Sequence, residues 1–97
     1  MLIRIVRIHL KESGVSEFLK IFNANKAAIR KFEGCSHLEL LKDKNGGNIY
    51  TTLSYWQNEE SLNTYRDSLL FKNVWGSVKT LFERKADAFS LEKFIEV

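Results

Sequence analysis

From Leu2 to Lys11 most positions are apolar or β-branched, with Leu2, Val6, Ile8 and Leu10 on one parity and Ile3, Ile5, Arg7 and His9 on the other. That pattern predicts a strand buried on one face and half-buried on the other. After a break at Ser13-Gly14, the residues Val15, Phe18, Phe22, Asn25, Ile29 and Phe32 recur at steps of three and four. An apolar stripe of that period predicts a helix over about 15–32, ended by Glu33-Gly34-Cys35 because glycine takes the left-handed conformation a helix end requires. A second strand, Ser36 to Lys42, follows. The run Asp43-Lys44-Asn45-Gly46-Gly47-Asn48 supplies positive φ without steric cost and closes a hairpin onto a third strand, Asn48 to Trp56. Asn58 is placed to cap a short helix from Glu59 to Arg66, whose first turn carries Glu59 and Glu60 near its positive end. Asp67-Ser68 interrupts. Phe71, Val74, Trp75, Val78, Leu81 and Phe82 then predict a further helix to about Phe82, and Phe89, Leu91, Ile95 and Val97 share one parity in a final strand from Ala88 to Val97.

The order β-α-β-β-α-β, with its second helical unit split, is the ferredoxin-like pattern of an α+β fold with a four-stranded antiparallel sheet. Helices then cover one face of the sheet. The first and third strands are apolar on both parities, so the other face predicts association with a partner.

Composition narrows the classes. Ninety-seven residues, 44% hydrophobic and 28% charged, specify a single soluble domain over 1–97. A chain this short removes only about 60 to 65% of its extended surface from water on folding, so a second copy is a natural source of stability. The net charge of +3 is spread along the chain with both signs interleaved, which gives no basic stripe for nucleic acid. A single cysteine, Cys35, and two histidines cannot build a structural metal site of Cys/His type. Arginines inside the N-terminal apolar run exclude a signal peptide or membrane span there, so the expected location is cytoplasmic, with no membrane partner.

Several residue groups carry a resemblance: the opening Ile5-Val6-Arg7-Ile8 strand, Glu33-Gly34-Cys35 after the first helix, and Tyr55-Trp56-Gln57-Asn58-Glu59-Glu60-Ser61-Leu62 running to Tyr65-Arg66 and Phe71-Lys72. Together they resemble the antibiotic biosynthesis monooxygenase domain family over nearly the whole chain. The resemblance implies a dimeric α/β barrel: a homodimer joined through the sheet faces, with a pocket in each subunit between sheet and helices. Members of that family include quinol and aromatic polyketide oxygenases that use no metal or flavin, and haem-degrading enzymes. In the haem-degrading branch an asparagine, a tryptophan and a histidine act at positions that here hold Val6, Tyr65 and Trp75, which leaves no axial iron ligand. No cofactor and no metal are therefore expected.

The resemblance places Phe22, Asn25, Tyr65, Phe71 and Trp75 around the substrate. Asn25 lies on the apolar stripe of the first helix and needs a partner, either a ligand or its own backbone. Tyr65 carries a phenol that seeks a hydrogen bond when buried. Trp75 belongs to a strong helical stripe and can serve as core or as pocket wall. The catalytic residue is not identified, and Tyr65, Asn25, His37 and His9 are the weak candidates. With strand one taken as running parallel to strand three, His9, His37 and Tyr55 gather at one end of the sheet, although parity turns His9 toward the dimer-facing side. Arg4 and Arg7 are expected to pair with carboxylates such as Glu39.

Two functions from different classes follow. One is a cofactor-independent monooxygenase acting as a homodimer on a small aromatic or quinol-like molecule with dioxygen. The alternative is a non-catalytic dimer of the same fold that binds a small ligand or a partner. RNA recognition shares the element order, but the third strand lacks the basic-glycine-aromatic signature it requires. A cavity left open, or one filled by Phe22, Phe71 and Trp75, separates small-molecule chemistry from its absence.

Overall fold

The computed structural model describes residues 1–97. Strand β1 is Leu2–His9, helix α1 Val15–Arg30, β2 Cys35–Lys42, β3 Ile49–Trp56, α2 Glu59–Arg66, α3 Leu69–Val78 and β4 Asp87–Glu92, with single 3-10 turns before α1 and after α3. The strands form one antiparallel sheet in the order β2-β3-β1-β4, the ferredoxin-like arrangement. No helix is long and apolar enough to cross a membrane.

Local chemistry sets most boundaries. Gly34 takes φ 91°, and a Cβ built there would lie 2.5 Å from that of Ser61, so glycine provides both the turn after α1 and the close approach of α2. Gly46 and Gly47, with φ 85° and 75°, make the hairpin turn, closed by Asp43 N–H donating to the Ile49 carbonyl at 3.0 Å. Asn58 caps α2 by accepting from Ser61 N–H at 2.8 Å. Ser68 separates α2 from α3: its hydroxyl donates to the Tyr65 carbonyl at 2.6 Å and accepts from Phe71 N–H at 3.1 Å.

Some expectations are corrected. Strand one runs antiparallel to strand three, pairing Leu2 with Trp56 and His9 with Ile49. The α1 crossover makes β1 and β2 parallel, and the hairpin then reverses β3 relative to both. His9 therefore sits at the opposite end of the sheet from the cross-strand pair His37 and Tyr55. The helix expected to reach Phe82 stops at Val78 and tightens into a 3-10 turn over Lys79–Leu81. The last strand ends at Glu92, leaving Ile95 and Val97 beyond the sheet.

Pairing fixes which side chains share a face. Leu2, Arg4, Val6 and Ile8 of β1 and Tyr50, Thr52, Ser54 and Trp56 of β3 lie side by side on the face the helices cover. The core there is in two parts. Ile8, Leu10, Phe18, Tyr50 and Val78 pack at one end, and Leu2, Trp56 and Leu62 at the other. Ile3, Ile5, Leu53, Tyr55, Phe89 and Leu91 line the opposite face, which no helix covers.

Candidate functional site

Along both central strands the large side chains stand at the ends and the small or polar ones in the middle. In β1 the order is Leu2, Arg4, Val6, Ile8, and in β3 it is Tyr50, Thr52, Ser54, Trp56. With the ends packed and the middle short, the helices bridge over a hollow. The resulting cavity has a volume of about 250 Å³ and is lined by 18 residues, 14 of them hydrophobic. Its floor is Arg4, Val6, Thr52, Ser54, Leu38 and Ala88, and its roof comes from Phe18, Phe22 and Ile29 of α1 and from α2 and α3. An apolar protein cavity of about 150 Å³ holds benzene, so this one has room for a larger ring system.

A continuous run of aromatic rings passes along one wall, where Trp56, Tyr65, Phe71 and Trp75 line the cavity and Phe32 and Phe82 extend the run beyond the lining. Phe32 meets Tyr65 at 5.2 Å between centroids, Tyr65 stacks on Trp56 at 4.8 Å and meets Phe71 edge-on at 5.2 Å, Phe71 stacks on Trp75 at 5.8 Å, and Trp75 meets Phe82 at 5.4 Å. Offset and edge-to-face pairs of this kind are each worth about 0.5 to 1.5 kcal/mol beyond the area they bury. The break at Ser68 lets this wall form, because it turns α3 so that Phe71 and Trp75 continue the line begun by Tyr65. The indole of Trp56 is held by its own N–H, which donates to Ser54 Oγ at 2.9 Å.

Tyr65 is largely buried, and its phenol makes no hydrogen bond within the chain. Burial, and to a smaller extent the nearby Cys35 thiol, push its pKa up to about 12. It is thus a neutral phenol at physiological pH, able to donate a hydrogen bond but not to serve as a resting base. The Cys35 thiol is also pushed up, chiefly by burial, and donates weakly to the His37 carbonyl at 3.5 Å. A thiol held protonated in this way is a poor nucleophile.

Of the residues expected around a substrate, the structure brings Phe22, Tyr65, Phe71 and Trp75 to the cavity wall, where they frame the space rather than fill it. Val6 joins them on the floor. Asn25 is not in the lining; its amide donates to the Ile21 carbonyl one turn back at 2.8 Å. His37 lies on the uncovered face, its ring tilted against that of Tyr55 with centroids 4.7 Å apart and Glu39 at 3.5 Å. His9 is buried at the far end of that same face, where its Nε2 lies 3.1 Å from both Asp87 Oδ2 and the Arg84 guanidinium. The carboxylate pairing expected for Arg4 does not form. Arg7 does pair with a carboxylate, Asp43 at 3.8 Å, whereas Arg4 points under the helices and donates to Ser90 Oγ at 3.1 Å. Arg4, Arg66, Thr52 and Ser54 were not among the expected site residues. The sequence signal that marks Thr52 and Ser54 is that they are short, polar positions in mid-strand between Tyr50 and Trp56. No three of the His, Cys, Asp and Glu side chains come together in a way that could hold a metal ion.

The arrangement can seat a flat apolar ring against an aromatic wall, shield it from water and offer it a phenol and cationic groups. A family model described as antibiotic biosynthesis monooxygenase matches residues 1–75. The fold is similar to that of a conserved protein from Methanosarcina mazei Go1, with TM-score 0.90 and 23% identity over 97% of this chain and 94% of that one. Rv0793 from Mycobacterium tuberculosis is similar too, with TM-score 0.90 and 20% identity over 98% and 96% of the two chains. So is a protein described as an antibiotic biosynthesis monooxygenase, with TM-score 0.91 and 13% identity over 98% of this chain and 100% of that one. No curated protein matches the chain.

Proposed function

The chain belongs to the antibiotic biosynthesis monooxygenase family, and on that premise we propose that it is a homodimeric monooxygenase that acts on a small aromatic or quinol-like substrate without a cofactor. The observation that carries the reading is the open cavity itself, apolar and walled by aromatic rings, at the place between sheet and helices where such a substrate would lie. An electron-rich phenol or its phenolate can reduce dioxygen directly. At a ring methylene one oxygen atom enters as a carbonyl, and the other leaves as water with the two hydrogens that carbon carried. The substrate then supplies all the electrons, and the protein supplies orientation and a dry site. Phe71 and Trp75 would hold the ring, and Tyr65, protonated, would donate to a substrate oxygen. The dimer is supported by the uncovered sheet face, where Phe89 and Leu91 are 47% and 49% exposed beside Ile3, Ile5 and Leu53. A contiguous apolar surface of this kind is rare on a monomer.

A second reading, a ligand-binding dimer without catalysis, is favoured by one observation: Asn25, His9 and His37 stand outside the cavity, and Tyr65 is too weak an acid to act as a resting base. Oxygen uptake separates the two. With anaerobically prepared quinols and naphthols, the monooxygenase gives protein-dependent consumption that falls in Trp75→Ala and Tyr65→Phe. Uptake equal to the protein-free blank across the set leaves the binding dimer.

A further inference from the structure

Two arginines line a largely apolar cavity, and neither has a carboxylate partner. Arg4 enters from the middle of β1 and Arg66 from the last residue of α2. The ion pairs of the molecule are Arg7 with Asp43, His9 and Arg84 with Asp87, His37 with Glu39, and Lys93 with Glu96. Neither cavity arginine takes part in them, and none of the lining residues is acidic. The one hydrogen bond Arg4 makes, to Ser90 Oγ, leaves most of its donors free. Partial burial, and then the like charge of Arg66, lower the pKa of Arg4. A half-buried cation facing a second cation is unfavourable as it stands, and an anion between them would relieve it.

Nothing in the fold requires this pair. The sheet face at Arg4 could carry a leucine or valine, as at Leu2 and Val6, and α2 could end on any polar residue. The geometry points to a ligand with two parts: an aromatic body against Phe71 and Trp75, and a carboxylate met by Arg4 and Arg66. We infer that the cavity selects aromatic carboxylates over the corresponding neutral phenols. A guanidinium presents its donors in a fork that matches the two oxygens of a carboxylate, which favours that group over a point-like anion. The inference rests on the cavity being a ligand site, as proposed above, and adds the chemical class of what it takes.

The test compares 1-hydroxy-2-naphthoate with 1-naphthol by quenching of tryptophan fluorescence, since Trp56 and Trp75 both line the cavity. The wild type should bind the carboxylate about tenfold or more tighter, the range of a charge-assisted hydrogen bond. Arg4→Gln should remove most of that preference, read as the ratio of the two dissociation constants. Arg66→Gln should remove less, because its side chain is exposed and screened by salt. Lys20→Gln, an equal loss of charge on the outer side of α1, should change neither. Equal affinity of the wild type for both ligands, or an equal effect of Lys20→Gln, overturns the selection for carboxylates while leaving the cavity as a binding site. Binding of naphthol alone does the same. If neither ligand quenches fluorescence, the ligand-site reading fails, and this inference with it. Circular dichroism of each variant confirms that the fold is kept.

Discussion

The two faces of the sheet are almost equally apolar, yet they are used in opposite ways. One is covered by helices but left hollow in its middle. The other is filled in its middle, by Ile5, Leu53 and Phe89 in one row, but covered by nothing in the chain. Where the side chains are short, the helices roof an open space. Where they are long, the surface itself becomes something to bury. Hydrophobicity alone therefore does not distinguish a core from a cavity or an interface; the order of side-chain sizes along each strand does.

Substitutions on the two faces should fail differently, and the largest effect belongs to the covered one. Trp56 is almost fully buried and closes the end of the hollow. Trp56→Ala should cost about 3 to 5 kcal/mol in urea denaturation, the usual range for an aromatic removed from a core. A loss below about 1 kcal/mol would mean that this end does not support the fold. On the uncovered face, Leu53→Asp should leave circular dichroism unchanged and raise the dimer dissociation constant a hundredfold or more, on the order of 3 kcal/mol for an unpaired carboxylate in an interface. Sedimentation that shows a monomer in the wild type would remove the dimer from that face. Next is the alkaline limb of stability. With its pKa raised to about 12, Tyr65 favours the fold fully below the ordinary tyrosine value of 10, and that contribution is lost as pH rises from there to about 12. The loss is at most about 2 to 3 kcal/mol, and ultraviolet titration should show a late-ionising phenol that is lost in Tyr65→Phe.

Removing the cap that starts α2, by Asn58→Ala, should cost about 1 kcal/mol and loosen the helix that carries Tyr65, seen as a lower thermal midpoint. The smallest stability effect sharpens the comparison most. Thr52→Leu adds volume at the centre of the covered face. In a packed core that costs about 1 to 3 kcal/mol, but over a hollow it should cost well under 1 kcal/mol while weakening the binding of naphthol several-fold. A full overpacking cost would show that the space is not there.

The architecture was legible because it rests on period and punctuation. The stripe from Phe18 to Ile29, the Asn58 cap, the Gly46-Gly47 turn and the apolar parities of β1 and β3 each have one local reading, and they agree. The α3 boundary was less legible, since Leu81 and Phe82 continue the helical spacing while the backbone tightens after Val78 and Phe82 returns to extended φ and ψ. The site was half legible. Phe22, Tyr65, Phe71 and Trp75 could be placed through the family resemblance, because aromatic side chains on helices are conspicuous. Asn25 misled because an amide on an apolar stripe can satisfy itself one turn back along its own helix. Arg4 was missed because a charge in mid-strand reads as a surface residue, although it shares the parity of Leu2, Val6 and Ile8. His9 and His37 depended on strand direction, which the pattern of apolar positions does not encode.

The division of the covered face into packed ends and a short-chained middle has a consequence for how such a protein can change over time. Trp56 and Phe18 both line the cavity and belong to the packed ends, whereas the short side chains of the middle line it without carrying the packing. Positions such as Thr52 and Ala88 can exchange for others of similar bulk with little loss of folding free energy, while Trp56, Leu10 and Phe18 keep the frame. A lineage built this way can try new guests without first losing its shape, and the chemistry of the molecule can drift faster than its architecture.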